Sequence, residues 1–212
     1  TFFNSAAPTT LTMTSGEEGS IFQKYALQYK KILAKEGVNL TILPSDGSID
    51  NLNKLSDKHV NVDIGFVQSG IAQGAKLDKL MSLGSVAYQP IMVFYHGESK
   101  HLIADFEGLR LNIGELGSGT HSLALSILKE NGILPEGNTQ LIEKPSLDPA
   151  KDLLEDRVDA IFVMGDSASI QQIKTLIKTP GINLFNFVQA EGYPRRIHYL
   201  LKLFLPEGSF DF

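Results

Sequence analysis

Four times along the chain a short apolar run leads straight into a turn rich in glycine and hydroxyl side chains, and each turn opens a stretch with helical character. The turns read Ser15-Gly16-Glu17-Glu18-Gly19-Ser20, Ser45-Asp46-Gly47-Ser48, Gln68-Ser69-Gly70 and Gly117-Ser118-Gly119-Thr120. Strand, turn and helix in series build a parallel sheet, because a parallel strand pair needs a long crossover and a helix supplies it. The turns then lie at the carboxyl ends of strands, where open α/β sheets bind ligands. A helix N-terminus adds free N–H groups and a partial positive charge, so each turn is a place for a carboxylate or similar polar group. Such turns in both halves of one scaffold point to capture of a small molecule in a shared cleft.

The pattern falls into two series. Residues 11–14, 40–43 and 62–67 read as strands, and 20–36, a stretch from Ser48, and 71–80 as helices. In the first helix Ile21, Tyr25, Gln28, Ile32 and Lys35 mark one face, Tyr29 and Leu33 widen its apolar part, and Gly37 stops it. Ser20, Ser48 and Thr120 are placed to cap helices. The run 86–95, apolar on both faces, reads as a strand joining two lobes. Beyond it come strands at 109–113, 140–142, 159–163 and 182–187, with helices at 120–131, 148–156, 167–178 and 194–205. The expected architecture is α/β with two parallel-sheet lobes, 1–87 and 88–212, and a cleft between them.

Composition removes several functions. A net charge of −5 leaves no basic excess for nucleic acid, and the absence of cysteine excludes thiolate chemistry and cysteine-held zinc. No apolar run approaches the ~20 residues that span a bilayer, so the sequence predicts no membrane insertion of this chain. The segment Gly114-Glu115-Leu116-Gly117-Ser118-Gly119-Thr120 has phosphate-loop glycine spacing but threonine where the loop needs lysine, and no dinucleotide fingerprint is present. No G-x-S-x-G elbow occurs, and Ser118 and His121 lack an identifiable carboxylate partner, so Ser118 reads as a helix cap and His121 as an exposed first-turn residue. The histidines His59, His96, His101, His121 and His198 show no i, i+4 ligand pair. The expectation is a binding protein without catalysis, metal or cofactor.

The ligand's surroundings follow from the same turns. The arginines Arg110, Arg157, Arg195 and Arg196 all lie outside them, so backbone N–H groups and hydroxyls must hold the ligand. Glu17 and Glu18 would repel a dianion and suit a ligand that also carries an amine. Phe22, Tyr88 and Met164 are candidates for apolar lining.

In order and spacing the turns, together with Val62-Asp63-Ile64-Gly65-Phe66-Val67-Gln68-Ser69 and Val158-Asp159-Ala160-Ile161-Phe162-Val163, resemble the TAXI-type solute receptors of TRAP transporters. The resemblance spans about residues 11–190 and implies a type II periplasmic-binding-protein fold that closes on an amino acid or small carboxylate. It implies an extracytoplasmic, periplasmic location, tethered if segments outside this chain anchor it, and membrane transporter subunits as partners. Carried over turn by turn, it implies a ligand shell of Gly16, Gly19 and Ser20, Gly47 and Ser48, Gln68, and Ser118, Gly119 and Thr120, closed by Met164, Gly165 and Asp166. The family's paired tyrosines after the first turn are replaced by Ile21 and Phe22. Its strand returning to the first lobe would follow residue 212. Two other readings share the fold: a receptor of an ATP-driven importer for sulfonates or pyrimidine precursors, and a ligand-sensing domain of a receptor or regulator.

Overall fold

The computed structural model describes residues 8–71, 77, 79–165, 168–204 and 206. The first lobe consists of β1 (Thr10–Thr14), α1 (Ile21–Lys35), β2 (Asn39–Leu43), α2 (Ser48–Ser56) and β3 (Ile64–Gly65). Its strands are all parallel, in the order β2-β1-β3. The Ser20 hydroxyl accepts from the Gln23 N–H at 3.2 Å and starts α1. Gly37, at φ +76°, turns the chain so that the Val38 N–H returns to the Leu33 carbonyl. The inward face of α1 places Phe22 and Ala26 on Met13, Leu40 and Phe66, with the Phe22 and Phe66 rings 5.3 Å apart. That apolar layer fixes α1 on the sheet and so fixes where its N-terminus points.

The second lobe holds β4 (Met92–His96), β5 (Arg110–Asn112), α3 (Gly119–Glu130), β6 (Gln140–Ile142), α4 (Pro149–Leu154), β7 (Ala160–Val163), α5 (Ile170–Lys178), β8 (Ile182–Leu184) and α6 (Tyr193–Arg196). The sheet order is β6-β5-β7-β4-β8. Alternate residues of the central strands feed two cores. Val93, Tyr95, Ala160 and Phe162 pack with α3, whereas Met92, Phe94, Ile161 and Val163 pack with α4 and α5. Burial on both faces explains why these strands read as continuous apolar runs.

Several elements differ from the sequence pattern. The expected second parallel sheet is mixed, because β4 runs antiparallel to β7 and β8. The run 62–67 contributes only Ile64–Gly65 to the sheet, since the Phe66 carbonyl is taken by the Asn51 side chain. The joining run becomes a strand only from Met92, and Met81, Leu83, Val86 and Tyr88 before it are exposed. The helix expected at 194–205 is limited to Tyr193–Arg196, after which Ile197, Tyr199 and Leu200 pack on the second-lobe core. The helix read at 71–80 lies largely outside the described residues.

Candidate functional site

The carboxyl ends of the first-lobe strands converge on one side chain. Asn51, on the inward face of α2 and fully buried, accepts from the Thr14 hydroxyl at 2.5 Å. Its amide donates to the Ser15 carbonyl at 2.6 Å and to the Phe66 carbonyl at 2.8 Å. One residue therefore holds the ends of β1 and β3 at a fixed separation. Ser15 completes the set by binding the Leu43 carbonyl through both its N–H and its hydroxyl, which aligns β2.

Ser48 and Thr120 do not cap their helices. Gly47 is the N-cap of α2, and the buried Ser48 hydroxyl instead accepts from the Gln68 N–H at 3.1 Å, joining the second turn to the third. The α3 cap is Ser118, whose hydroxyl accepts from the His121 N–H at 3.1 Å, leaving Thr120 inside the first turn and buried. Gly114, at φ +88°, begins this turn so closely that an added methyl would stand 3.1 Å from Thr120 Cγ2.

The two lobes meet through main chain. The Ile21 N–H, first in α1, donates to the Gly165 carbonyl at 3.0 Å, and the Ile49 N–H at the start of α2 donates to the Gly117 carbonyl at 3.0 Å. The α2 start, with Ser48 and through it Gln68, is thus set against the turn that carries Ser118, Gly119 and Thr120. Gly16 is buried behind this seam, where its carbonyl accepts from the Ser45 N–H. Gly19 is exposed and donates to the Gln23 side chain. Phe22 lies in the first-lobe core, Met164 in the second-lobe core, and Tyr88 is 70% exposed on the joining segment. Asp166 lies outside the described residues.

The seam is polar and shielded. Thr14, Ser15, Ser45, Ser48 and Asn51 from one lobe and Asn112, Ser118 and Thr120 from the other are all buried. Among its charged groups Glu115 has its pKa raised, first by burial and then by the negative charge of Asp46 on the opposite lobe. His121 is buried, not exposed as the sequence suggested, and its Nε2 lies 2.8 Å from the Glu143 carboxylate. That supplies the carboxylate partner which the sequence did not reveal. It does not make a nucleophile of Ser118, whose hydroxyl proton goes to the Glu115 carbonyl at 2.7 Å.

Asn51 was legible in principle, because Ser48, Asn51, Leu52 and Leu55 follow i, i+3, i+4, i+7 and place a polar residue on an inward stripe. The Glu143 partner carried no local signal, since it lies on another element. At the opposite ends of β5 and β7, Arg110 donates to Asp159 at 3.0 and 2.7 Å and to Asp156 at 2.6 Å, with His96 beside both carboxylates. The Arg110 hydrogen bonds hold the Asp159 carboxyl below the usual range. This arginine is far from the polar turns, at the base of the sheet.

Residues 21–197 match the sequence profile of the NMT1-like family. The chain belongs to that family. This NMT1-like chain is similar to the periplasmic aliphatic sulphonate binding protein SsuA from Escherichia coli, with 16% identity and a TM-score of 0.56 over 90% of this chain and 64% of that one. It is similar to an ancestral arginine-binding protein bound to arginine, with 15% identity and a TM-score of 0.60 over 85% of this chain and 80% of the other. A substrate binding protein of an amino acid ABC transporter shares 16% identity and a TM-score of 0.54, over 84% of this chain and 78% of that one. The chain thus spans 64% of the length of SsuA. No curated protein matches the sequence. The likenesses share one fold, the two-lobed α/β architecture of periplasmic binding proteins.

Proposed function

We propose that the chain captures a small polar solute between its two lobes and delivers it to the membrane subunits of an importer outside the cytoplasm. The observation that carries this reading is the seam itself: buried hydroxyls and amides from both lobes gather at the carboxyl ends of parallel strands. Most of these side chains are satisfied within the protein and hold the turns in shape, while the buried Gln68 Oε1 has no partner among the described residues and is an acceptor left for a donor of the solute. Opening and closing of the lobes supplies entry and capture. Catalysis is not part of the reading, because the Ser118 proton is committed to a backbone carbonyl.

The similarity to SsuA and to an amino acid ABC transporter's binding protein supports an ATP-driven importer as the recipient. The glycine turns, which resemble those of TAXI-type receptors, support a second reading in which the recipient is a TRAP transporter. Uptake of the bound solute that follows ATP supports the first, and uptake that follows a sodium gradient the second.

The test of capture is native mass spectrometry of the purified protein before and after a denature–refold cycle that strips bound solute, followed by a thermal-shift panel of alkanesulfonates, amino acids and dicarboxylates on the stripped protein. A true solute at a hundred times its Kd stabilises by ~2.7 kcal/mol, which raises the melting temperature by about 5–10 °C for a chain of this size. If neither measurement finds a small polar solute of any class, the capture reading is wrong.

A further inference from the structure

Two helix N-termini that the sequence marks as anion sites are turned toward the opposite lobe. The N–H of Ile21 donates to the Gly165 carbonyl at 3.0 Å, and the N–H groups of Ile49 and Asp50 both point at the Gly117 carbonyl, at 3.0 and 3.4 Å. These are donors of the first turn, which a helix cannot satisfy internally. Both acceptors lie in second-lobe turns, Gly165 just beyond β7 and Gly117 just before α3. The Ile21 side chain also packs on the second-lobe core.

We infer that the N-termini of α1 and α2 are latches that hold the lobes together, and that the solute is held by other groups of the seam. Two contacts on separate helices resist both hinge opening and twisting, whereas one would act as a pivot. The acceptors are backbone carbonyls, so the latch needs no side chain of the opposite lobe. The helix dipole adds to each bond, since a carbonyl oxygen carries partial negative charge. Closure therefore has a contribution that is independent of solute, and part of the population is closed before a solute arrives. This inference rests on the two-lobe capture reading and adds to it what stabilises the closed arrangement.

Proline tests the latch because it removes the N–H and little else at this position. Ile21 is the first residue of α1, where proline is favoured, and Ser20 before it is already extended at φ −63° and ψ 161°. The alanine variant at the same site loses the side chain but keeps the N–H. The chain has no cysteine, so Lys31→Cys and Lys178→Cys, exposed positions on α1 and α5, take a pair of spin labels without background. Pulsed dipolar spectroscopy then reads closed and open populations in the solute-stripped protein. Relative to Ile21→Ala, Ile21→Pro is expected to lower the closed-to-open ratio about fivefold, equivalent to ~1 kcal/mol for one hydrogen bond. Ile49→Pro against Ile49→Ala gives a comparison at α2 with a smaller expected change, because the Asp50 N–H still lies 3.4 Å from the Gly117 carbonyl. Ser48 before it is helical, so far-UV circular dichroism is used to confirm that each variant is folded. Should Ile21→Pro not fold, the α2 pair decides. Equal ratios within each proline and alanine pair overturn the latch. If the variants open but no solute in the panel shifts the parent's distances, the latch stands and solute capture is what fails.

Discussion

Replacing Asn51 by alanine removes three hydrogen bonds at once, and the structure sets the cost. The side chain is fully buried and bonds the Thr14 hydroxyl, the Ser15 carbonyl and the Phe66 carbonyl. Each such bond contributes about 1 kcal/mol net, and each partner left buried without another donor or acceptor costs somewhat more. Asn51→Ala should therefore destabilise the protein by about 3–4 kcal/mol, near the upper range for single substitutions. At ~2–4 °C per kcal/mol in a chain of this size, the melting temperature falls by roughly 10 °C. The chain contains no tryptophan, so urea unfolding is best followed by far-UV circular dichroism.

The substitution Asn51→Asp separates donors from acceptors. It keeps an oxygen for the Thr14 hydroxyl but sets a second carboxylate oxygen against two carbonyl oxygens. At neutral pH it should cost at least as much as alanine. The introduced carboxyl is buried without a cation, so its pKa rises and stability recovers as pH falls through that value and protonation restores one donor. An alanine variant within ~0.5 kcal/mol of the parent, or an Asn51→Asp variant with no recovery in acid, would falsify the view that this residue ties the strand ends together.

Glu115 carries a raised pKa from burial and from Asp46, so its ionised form costs stability. Glu115→Gln should raise the melting temperature at pH 7, with the gain fading as pH falls toward the unfolded carboxylate value of about 4.3. Asp159 has the opposite sign, because the Arg110 hydrogen bonds lower its pKa and its ionised form stabilises. Asp159→Asn should lower the melting temperature at pH 7, and the gap to the parent should close as the parent loses this contribution below about pH 3.9. An added methyl at Gly65 would stand 2.6 Å from Thr14 Cγ2, so Gly65→Ala should cost ~1–3 kcal/mol by overpacking, and a neutral result in urea unfolding would show that β3 can shift away from β1.

Local signals carried much of this fold. The helical stripe of α1, its Ser20 cap and its Gly37 stop are all contained within a few residues, and the observed helix runs over Ile21–Lys35. What failed depended on distant partners. Ser48 is a good cap by type, but the Gln68 N–H, twenty positions away, takes its hydroxyl and leaves Gly47 to begin the helix. His121 appears exposed from its place in a first turn, yet Glu143 reaches it from beyond β6. The direction of β4 was illegible for another reason. A strand buried on both faces has the same apolar pattern whichever way it runs, and only the pairing with Val163 through Ala160 shows it to be antiparallel.

The glycine turns show the same limit at the site. Their composition establishes that free N–H groups will be present, but not which acceptor finds them. For α1 and α2 the acceptors are Gly165 and Gly117 of the opposite lobe. Charge selection moves accordingly. Glu18 is exposed to solvent, where screening weakens its influence, while Glu115 is half-buried and senses Asp46 across the seam. A dianion brought to this seam would add to the negative charge already there, whereas a solute bearing an amine would relieve it. The sequence placed a preference for a zwitterion on Glu17 and Glu18. If Asp46 and Glu115 face the solute instead, an amino acid is expected to stabilise the protein more than a dicarboxylate in the thermal-shift panel, and Glu115→Gln to narrow that difference, whereas an unchanged difference would refute this assignment.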